Sequence, residues 1–403
     1  MFSLANFYYV LYKNLLLPVN LPPLHFSKFG STSTADLEFN NYDKSILSKN
    51  KLNNFHTDIC YFYDQEPLIK QNVESVFHYT FDYFTTLKIL ANSEHSEYKK
   101  QYCRSNKFLD WYYFFHGFAA LDWYRDYQYI PKVENKFSKV FISLNRLVTK
   151  DRSYRLNLVA NYIEQGLLEY GHVSLALKDN NWKTELLDNE SKLSANAKIK
   201  IHNTLSRLSG PLVVDQEEVQ GWASASCGND DVMLQQSALW HVVAETVFYY
   251  PKLHLTEKIF KPIVNRRPFL LVGAPGNLAY LKRYGFKTFD RWVDESYDAI
   301  EDNDLRIAAV TQELAKLCKL SRPELEAMHE EMQEALDYNF NHFYGKFKHI
   351  IVEELVENFR SCLGQWNNGR VDIGERGVLR GYVITDHINF EEVKQRMLGY
   401  SIP

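Results

Sequence analysis

The stretch from Leu239 to Gly276 constrains this chain more than any other. An apolar run, Leu239 to Val247, reads as a strand. A loop follows, Thr256 opens a short helix, and Arg266-Arg-Pro-Phe-Leu-Leu-Val-Gly-Ala-Pro-Gly276 reads as a second strand ending in a tight turn. Strand, helix and strand in that order call for a parallel α/β sheet. Thr256 is a good N-cap, and Glu257 suits the positive end of the helix dipole. Lys258 does not, because a cation in the first turn is misplaced unless an anion sits beside it. A helix N-terminus already offers N–H donors to phosphate. Pro262 removes one further hydrogen bond from this turn. An ordinary capped helix with a surface lysine is the plain alternative, but Glu245 at one strand end and Gly273 at the next favour a ligand site.

At 403 residues the chain is long for one core, and two packed domains are the expectation. Net charge is −4, which gives no global field for DNA or an anionic membrane. From Lys258 to Arg291, however, eight Lys or Arg face Asp290 alone, and a small polyanionic ligand suits that region. Aromatic residues reach 15%; they fill cores, and they also line sugar and base clefts. The five cysteines form no C-x-x-C pair, which argues against a zinc site or a disulfide framework and fits a reducing, cytoplasmic setting. The apolar start, residues 1–23, is interrupted by Lys13 and ended by Pro18. It lacks a basic leader and a cleavage site and is short for a bilayer, so it reads as a strand or packing arm.

Along the chain, Asp58-Ile-Cys-Tyr-Phe-Tyr63 is a short buried strand that breaks at Asp64-Gln-Glu-Pro67. Polar residues at the end of such a strand point into the crevice where open α/β sheets bind ligands. Thr86–Ala91 before Asn92-Ser-Glu-His95 and Trp111–Phe115 before His116-Gly117 repeat the pattern. Lys132–Lys139 reads as a linker. Val140–Leu144 is a fresh strand, Asn145-Arg146 to Arg152 a polar loop, and Ser153 a candidate cap for a helix running to Gly166 or Gly171. Ser321-Arg-Pro-Glu324 is a capping-box pattern heading a helix to about Tyr344, with a second helical run from Phe347 to Leu363. Asn367-Asn-Gly369 and Val378–Thr385 suggest a hairpin or a partner-binding tail. The expected division is 1–135, 136–305, helices 306–364 and a tail 365–403.

The motif around Thr256-Glu-Lys258 resembles the donor-binding part of α1,3-fucosyltransferase-like enzymes. There a Phe-Glu-Asn strand end, a loop, Thr-Glu-Lys and a Val-Pro-Ile-x-x-Gly strand follow one another. Here Ala244-Glu245-Thr246 replaces the first element, Thr256-Glu257-Lys258 is intact, and Arg267-Pro-Phe-Leu-Leu-Val-Gly273 stands for the last. The resemblance implies a GT-B fold: two Rossmann-like domains facing a cleft, with C-terminal helices. It implies that the second domain binds a nucleotide diphosphosugar, with a GDP-sugar and fucose indicated by kinship. Lys258 would bind the diphosphate, with Glu245 and Glu257 on ribose or sugar. An arginine at the first loop-to-helix junction would join it. Arg155 is the best match there, Arg146 and Arg152 are rivals, and Asn145 heads the same loop.

Tyr61-Phe-Tyr-Asp-Gln-Glu-Pro67 loosely resembles the family's acceptor-side strand end, which makes Glu66 the candidate base for the acceptor hydroxyl. Asp64, Glu94, His95 and His116 remain alternatives. Asp302-Asn-Asp304 matches a metal-binding D-x-D pattern, but reads better as a solvated turn. No obligatory metal is expected. A carbohydrate or other hydroxyl compound is the expected acceptor. Two rival readings are a GT-B-shaped binding or structural protein without turnover, for example of a viral particle, and a DNA-modifying sugar transferase. The latter wants a basic acceptor groove, and residues 58–131 are not conspicuously basic.

Overall fold

The computed structural model describes residues 58–63, 86–91, 109–113, 132–145, 148–175, 192–208, 212–214, 229–249, 253–351, 353–354, 357, 369–372 and 381–383. Its strands are β1 (Asp58–Tyr63), β2 (Thr86–Ala91), β3 (Leu109–Tyr113), β4 (Lys139–Asn145), β5 (Gly171–Leu175), β6 (Ala238–Ala244), β7 (Phe269–Val272), β8 (Gly369–Asp372) and β9 (Gly381–Val383). Its helices are α1 (Tyr154–Glu164), α2 (Ala195–Leu205), α3 (Asn229–Gln236), α4 (Glu257–Val264), α5 (Asn277–Arg283), α6 (Asn303–Cys318) and α7 (Arg322–His342). The class is α/β, with two compact units: Met1–Gln128 with Lys348–Pro403, and Tyr129–Phe347.

The first unit holds a sheet in the order β3-β2-β1-β8-β9. β1 pairs in parallel with β2 and β8, and β2 with β3. β9, inside Val378–Thr385, lies antiparallel to β8, which begins at Gly369 and runs past the segment read for it, and β8 enters the sheet of the first unit. β1 and β2 fall where their apolar runs predicted. β3 lies two residues earlier than Trp111–Phe115, because an unbroken aromatic run carries no polar mark of where pairing stops.

The second unit holds a four-stranded, wholly parallel sheet, β5-β4-β6-β7. Every residue of β6 (Ala-Leu-Trp-His-Val-Val-Ala) and of β7 (Phe-Leu-Leu-Val) is buried. Apolar on both faces, these strands need cover on both sides. Helix α4 packs on both strands and α6 on β7, while α7 packs on α4 and α1 on β5. Phe289 meets Trp240 and Phe269 edge-on at 5.7 and 5.1 Å. Gly171 opens β5 because any side chain there would enter the Phe141 ring, 2.4 Å from an added Cβ.

Several sequence expectations change here. The strand expected over Leu239–Val247 ends at Ala244, and Glu245 is the first residue beyond it. Ser153 does precede α1, but it has helical backbone angles and makes no side-chain cap; its hydroxyl instead shares a 2.7 Å hydrogen bond with Tyr249 Oη. The capping-box segment heads α7, where the Glu324 carboxylate accepts from Ser321 N and Oγ. Helix α7 stops at His342, and a π turn, Phe343–Phe347, precedes further helical residues at 348–351. In the polar, turn-rich stretch before β6, where no hydrophobic period marks an element, α2 and α3 are helical. The N-terminal stretch lies outside the described residues. Among those described, no helix is long and apolar enough to cross a membrane.

Two buried histidines make the second unit sensitive to acid. Burial pushes His241 down to about 3, against a helping hydrogen bond from its ring to the Gln235 carbonyl; nearby Arg267 and Lys261 lower it further. Burial and then Arg267 push His329 down to about 4. Both rings stay neutral when folded yet titrate near 6.5 when unfolded, so below pH 6.5 the unfolded chain takes up protons the folded one refuses. Stability is therefore full above pH 6.5 and falls towards pH 4, by up to about 1.4 kcal/mol per pH unit per histidine. Urea titrations from pH 7.5 to 4.5 should show a shallower pH slope for His329→Gln than for the natural chain. Equal slopes would refute the assignment.

Candidate functional site

In an open parallel sheet, a crevice forms at the carboxyl ends of two neighbouring strands whose onward connections leave in opposite directions. In the second unit those strands are β4, which leads to β5 on one side, and β6, which leads to β7 on the other. The β4–β6 register pairs Ile142 with His241. Carried forward three residues along each strand, it sets Asn145 beside Ala244. The switch point thus lies between Asn145 and the Ala244-Glu245-Thr246 corner.

Glu245 is fully buried. Its carboxylate accepts from Thr256 N at 3.1 Å, Thr256 Oγ1 at 2.6 Å and Thr246 N at 3.3 Å. Burial raises its pKa, opposed by Lys258 and by the bonds from Thr256. Thr256 in turn caps α4, with its Oγ1 3.4 Å from Lys258 N. The corner is held from the other side as well. Tyr154 Oη donates to the Glu245 carbonyl, and Arg155 Nη2 donates to the Ala244 carbonyl at 2.9 Å. Residues 244–245 therefore tie the start of α1 to the start of α4.

The Lys258 ammonium reaches Thr246 Oγ1 at 3.3 Å, Thr256 Oγ1 at 3.0 Å and Glu257 Oε1 at 2.9 Å. Its side chain keeps 29% exposure, over the carboxyl end of β6. This corrects the sequence expectation that only a bound anion would justify a cation there, because Glu257 supplies the negative partner within the chain. Burial alone would raise the Glu257 carboxyl, but Lys258, by charge and hydrogen bond, and then Lys261 overcome it and hold it at about 2.

The structure brings together Asn145, Arg155, Glu245, Thr256, Glu257 and Lys258 around this corner. Asn145 is fully buried; its amide donates to Ser143 O and Oγ, and its Oδ1 has no hydrogen-bond partner among the described residues. Arg155 is only 3% exposed. Arg152 ends a short 3-10 turn just before α1 and is half-buried. Arg146 lies outside the described residues, as do Glu66, Asp64, Glu94, His95 and His116. Asp302 caps α6 through the N–H groups of Asp304 and Leu305, and Asp304 accepts from Asn157 and Ser194, so the D-x-D pair is occupied in fixing a helix start. Among the described residues, no group of three or more His, Cys, Asp or Glu is placed to hold a metal ion.

The basic surplus of 258–291 forms no single anion-binding face, contrary to expectation. Arg266 pairs with Asp337, Lys282 with Asp290 and Glu295, Lys287 with Glu334, and Arg291 with Glu331. Most of those acids come from the 295–337 segment, too far along the sequence for a local count to see. Arg267 is buried and spends Nη2 on the carbonyls of Glu134, Lys136 and Gln236. Sequence reasoning also missed Tyr154, which lies outside the motif that drew attention to the region, and gave no role to Thr246, whose hydroxyl meets Lys258.

No protein-family model matches the chain, and no curated protein matches it at a significant level. Two similar solved structures are glucosyltransferases. A mutant of T4 phage BGT in complex with UDP-glucose is 10% identical, with 76% of this chain and 74% of that chain covered and a TM-score of 0.39. The DNA-modifying enzyme β-glucosyltransferase, solved with and without uridine diphosphoglucose, is 10% identical, with 83% and 86% covered and a TM-score of 0.40.

The lock between Glu245 and Thr256 has a measurable worth. Thr256→Ala removes a cap and leaves a buried carboxylate short of its hydroxyl partner, which should cost about 1–3 kcal/mol. Chemical denaturation of the variant tests this; a loss below about 0.5 kcal/mol, the scale of an ordinary surface change, would show the lock to be unimportant.

Proposed function

We propose that the chain is a glycosyltransferase of GT-B type that takes its sugar from a nucleotide diphosphosugar held in the second unit. One observation carries this reading: the Thr256-Glu-Lys258 helix start and the residue 244–246 corner meet at the switch point of a parallel sheet. Open α/β sheets place ligands there, and a helix N-terminus with a lysine is suited to phosphate. The resemblance to α1,3-fucosyltransferase-like enzymes puts GDP-fucose first among donors. UDP-glucose, the ligand of the T4 phage enzyme, is the natural comparison.

In this reading Lys258 exchanges part of its hold on Glu257 for the donor diphosphate. Arg155, almost wholly buried on the Ala244 carbonyl, suits a strut better than a ligand arm. Arg152 and Arg146, the other two arginines of that loop, are then the candidates for the phosphates. The acceptor oxygen attacks the anomeric carbon, the bond to phosphate breaks with its electron pair leaving on the diphosphate, and a base takes the hydroxyl proton. We assign the base to Glu66. The supporting feature is position in the chain: Glu66 follows the carboxyl end of β1, which pairs in parallel with β2 and β8, and ligands of such sheets lie beyond the carboxyl ends of the strands. The chain leaves β1 at Tyr63, three residues before Glu66.

Thermal shift against GDP-fucose, UDP-glucose and the free nucleotides tests the reading. A ligand at about 100 times its Kd stabilises by about 2.7 kcal/mol, a shift of several degrees. Lys258→Ala should lose most of that shift, and either no response in the natural chain or an equal response in the variant would sink the proposal. Transfer should also continue in EDTA, since Lys258 and an arginine do the charge work a metal does elsewhere. Activity lost in EDTA and restored by Mn²⁺ would refute that part. Offering oligosaccharide and duplex DNA as acceptors separates the carbohydrate reading from the DNA-modifying one.

A further inference from the structure

Arg306 lies on the buried stripe of α6 with Val310 and Leu314 and is 2% exposed. A charged residue in that stripe is costly to bury, so its contacts must repay it. Its five N–H donors find five acceptors. Nε donates to the Gly273 carbonyl at 3.1 Å. Nη1 donates to the carbonyls of Ile300 and Glu301 at 2.6 and 3.1 Å. Nη2 donates to the Phe248 carbonyl at 3.0 Å and to Asn303 Oδ1 at 2.8 Å. The guanidinium carbon also lies 4.2 Å from the centroid of the Phe248 ring.

Two of these acceptors bear on the site. Phe248 belongs to the loop that leaves β6, and Gly273 is the first residue beyond β7. The Phe248 ring stacks on Tyr154 at 4.2 Å, and Tyr154 holds the Glu245 carbonyl. Gly273 backs directly onto Glu245, whose Cβ would lie 3.6 Å from a methyl placed there.

We propose that Arg306 is a positioning residue for the nucleotide site, fixing the loops after β6 and β7 so that Glu245, Thr256 and Lys258 present one geometry. It acts through those loops and touches no ligand. The assignment rests on the nucleotide-sugar reading above. Lysine cannot do the same work, because it offers three donors from one point where arginine offers five in a planar fork.

The test uses the full chain, with GDP and UDP as probes in titration calorimetry and melting temperature measured alongside. Arg306→Lys keeps the charge. It should weaken nucleotide binding by about ten- to a hundredfold, the scale of a small misplacement in a binding site. Asn303→Ala, which removes one acceptor and leaves the arginine, should weaken it in the same direction by less. Leu314→Ala, on the same helix, is the structural control: it should lower the melting temperature while leaving the dissociation constant unchanged.

If Arg306→Lys does not fold, the Asn303→Ala and Leu314→Ala pair still decides. Loss of affinity in both alike, or in neither arginine-network variant, overturns the positioning role while the nucleotide reading stands. If the natural chain binds neither nucleotide, both proposals fall together.

Discussion

The second unit depends on how one buried carboxylate is satisfied. Glu245 sits where β6 ends and is closed to solvent, so its charge must be met by donors from the chain itself. Thr256 supplies two and Thr246 a third. That requirement fixes where α4 begins, because the residue that feeds the carboxylate is also the helix cap. It also fixes the lysine two places on, whose ammonium lies within hydrogen-bonding reach of both threonine hydroxyls. Thus a strand end, a loop of about ten residues and a helix start form one hydrogen-bonded object. Its rigidity comes from the cost of leaving any member unpaired.

Around this object the chain uses arginine in one recurrent way. Arg155, Arg267 and Arg306 are buried, and their described bonds run mainly to backbone carbonyls. Carbonyls at strand ends and loop corners have lost their ladder partners and need donors. A guanidinium supplies up to five at fixed angles, so a single side chain can fasten several segments. Burial brings Arg267 and Arg306 down to about 10, far enough above neutrality that the charge persists. The exposed cations behave differently, pairing with acids of the 290–337 segment. A count of positive residues along 258–291 therefore mixes two populations, fasteners and surface pairs.

The elements most legible in the sequence were those with sharp chemical edges. β1 and β2 are apolar runs bounded by polar residues, and α4 opens at a threonine followed by an acid. β6 was read too long because the apolar run continues through Val247 after the ladder has stopped. Ser153 was misjudged because its partner, Tyr249, is remote in sequence and nothing local reports the contact. The Lys258–Glu257 pair was passed over because neighbours in a helix do not ordinarily face each other; at a first turn, with the side chains free to swing, they can. Arg306 left a signal that went unused, a charge in phase with Val310 and Leu314. The place of β8 in the first sheet left none, since register between distant segments is written in neither of them.

That last pairing has a consequence for how the protein is made. β1 receives one of its two neighbours from residues 369–372, more than three hundred positions downstream. During synthesis β1 emerges long before residues 369–372, and its edge on that side stays open until they follow. The intervening unit, Tyr129–Phe347, has all its strands to hand much sooner. The topology therefore lets the second unit complete its sheet before the first unit can complete its own. An unpaired parallel strand is prone to wrong partners for as long as it waits.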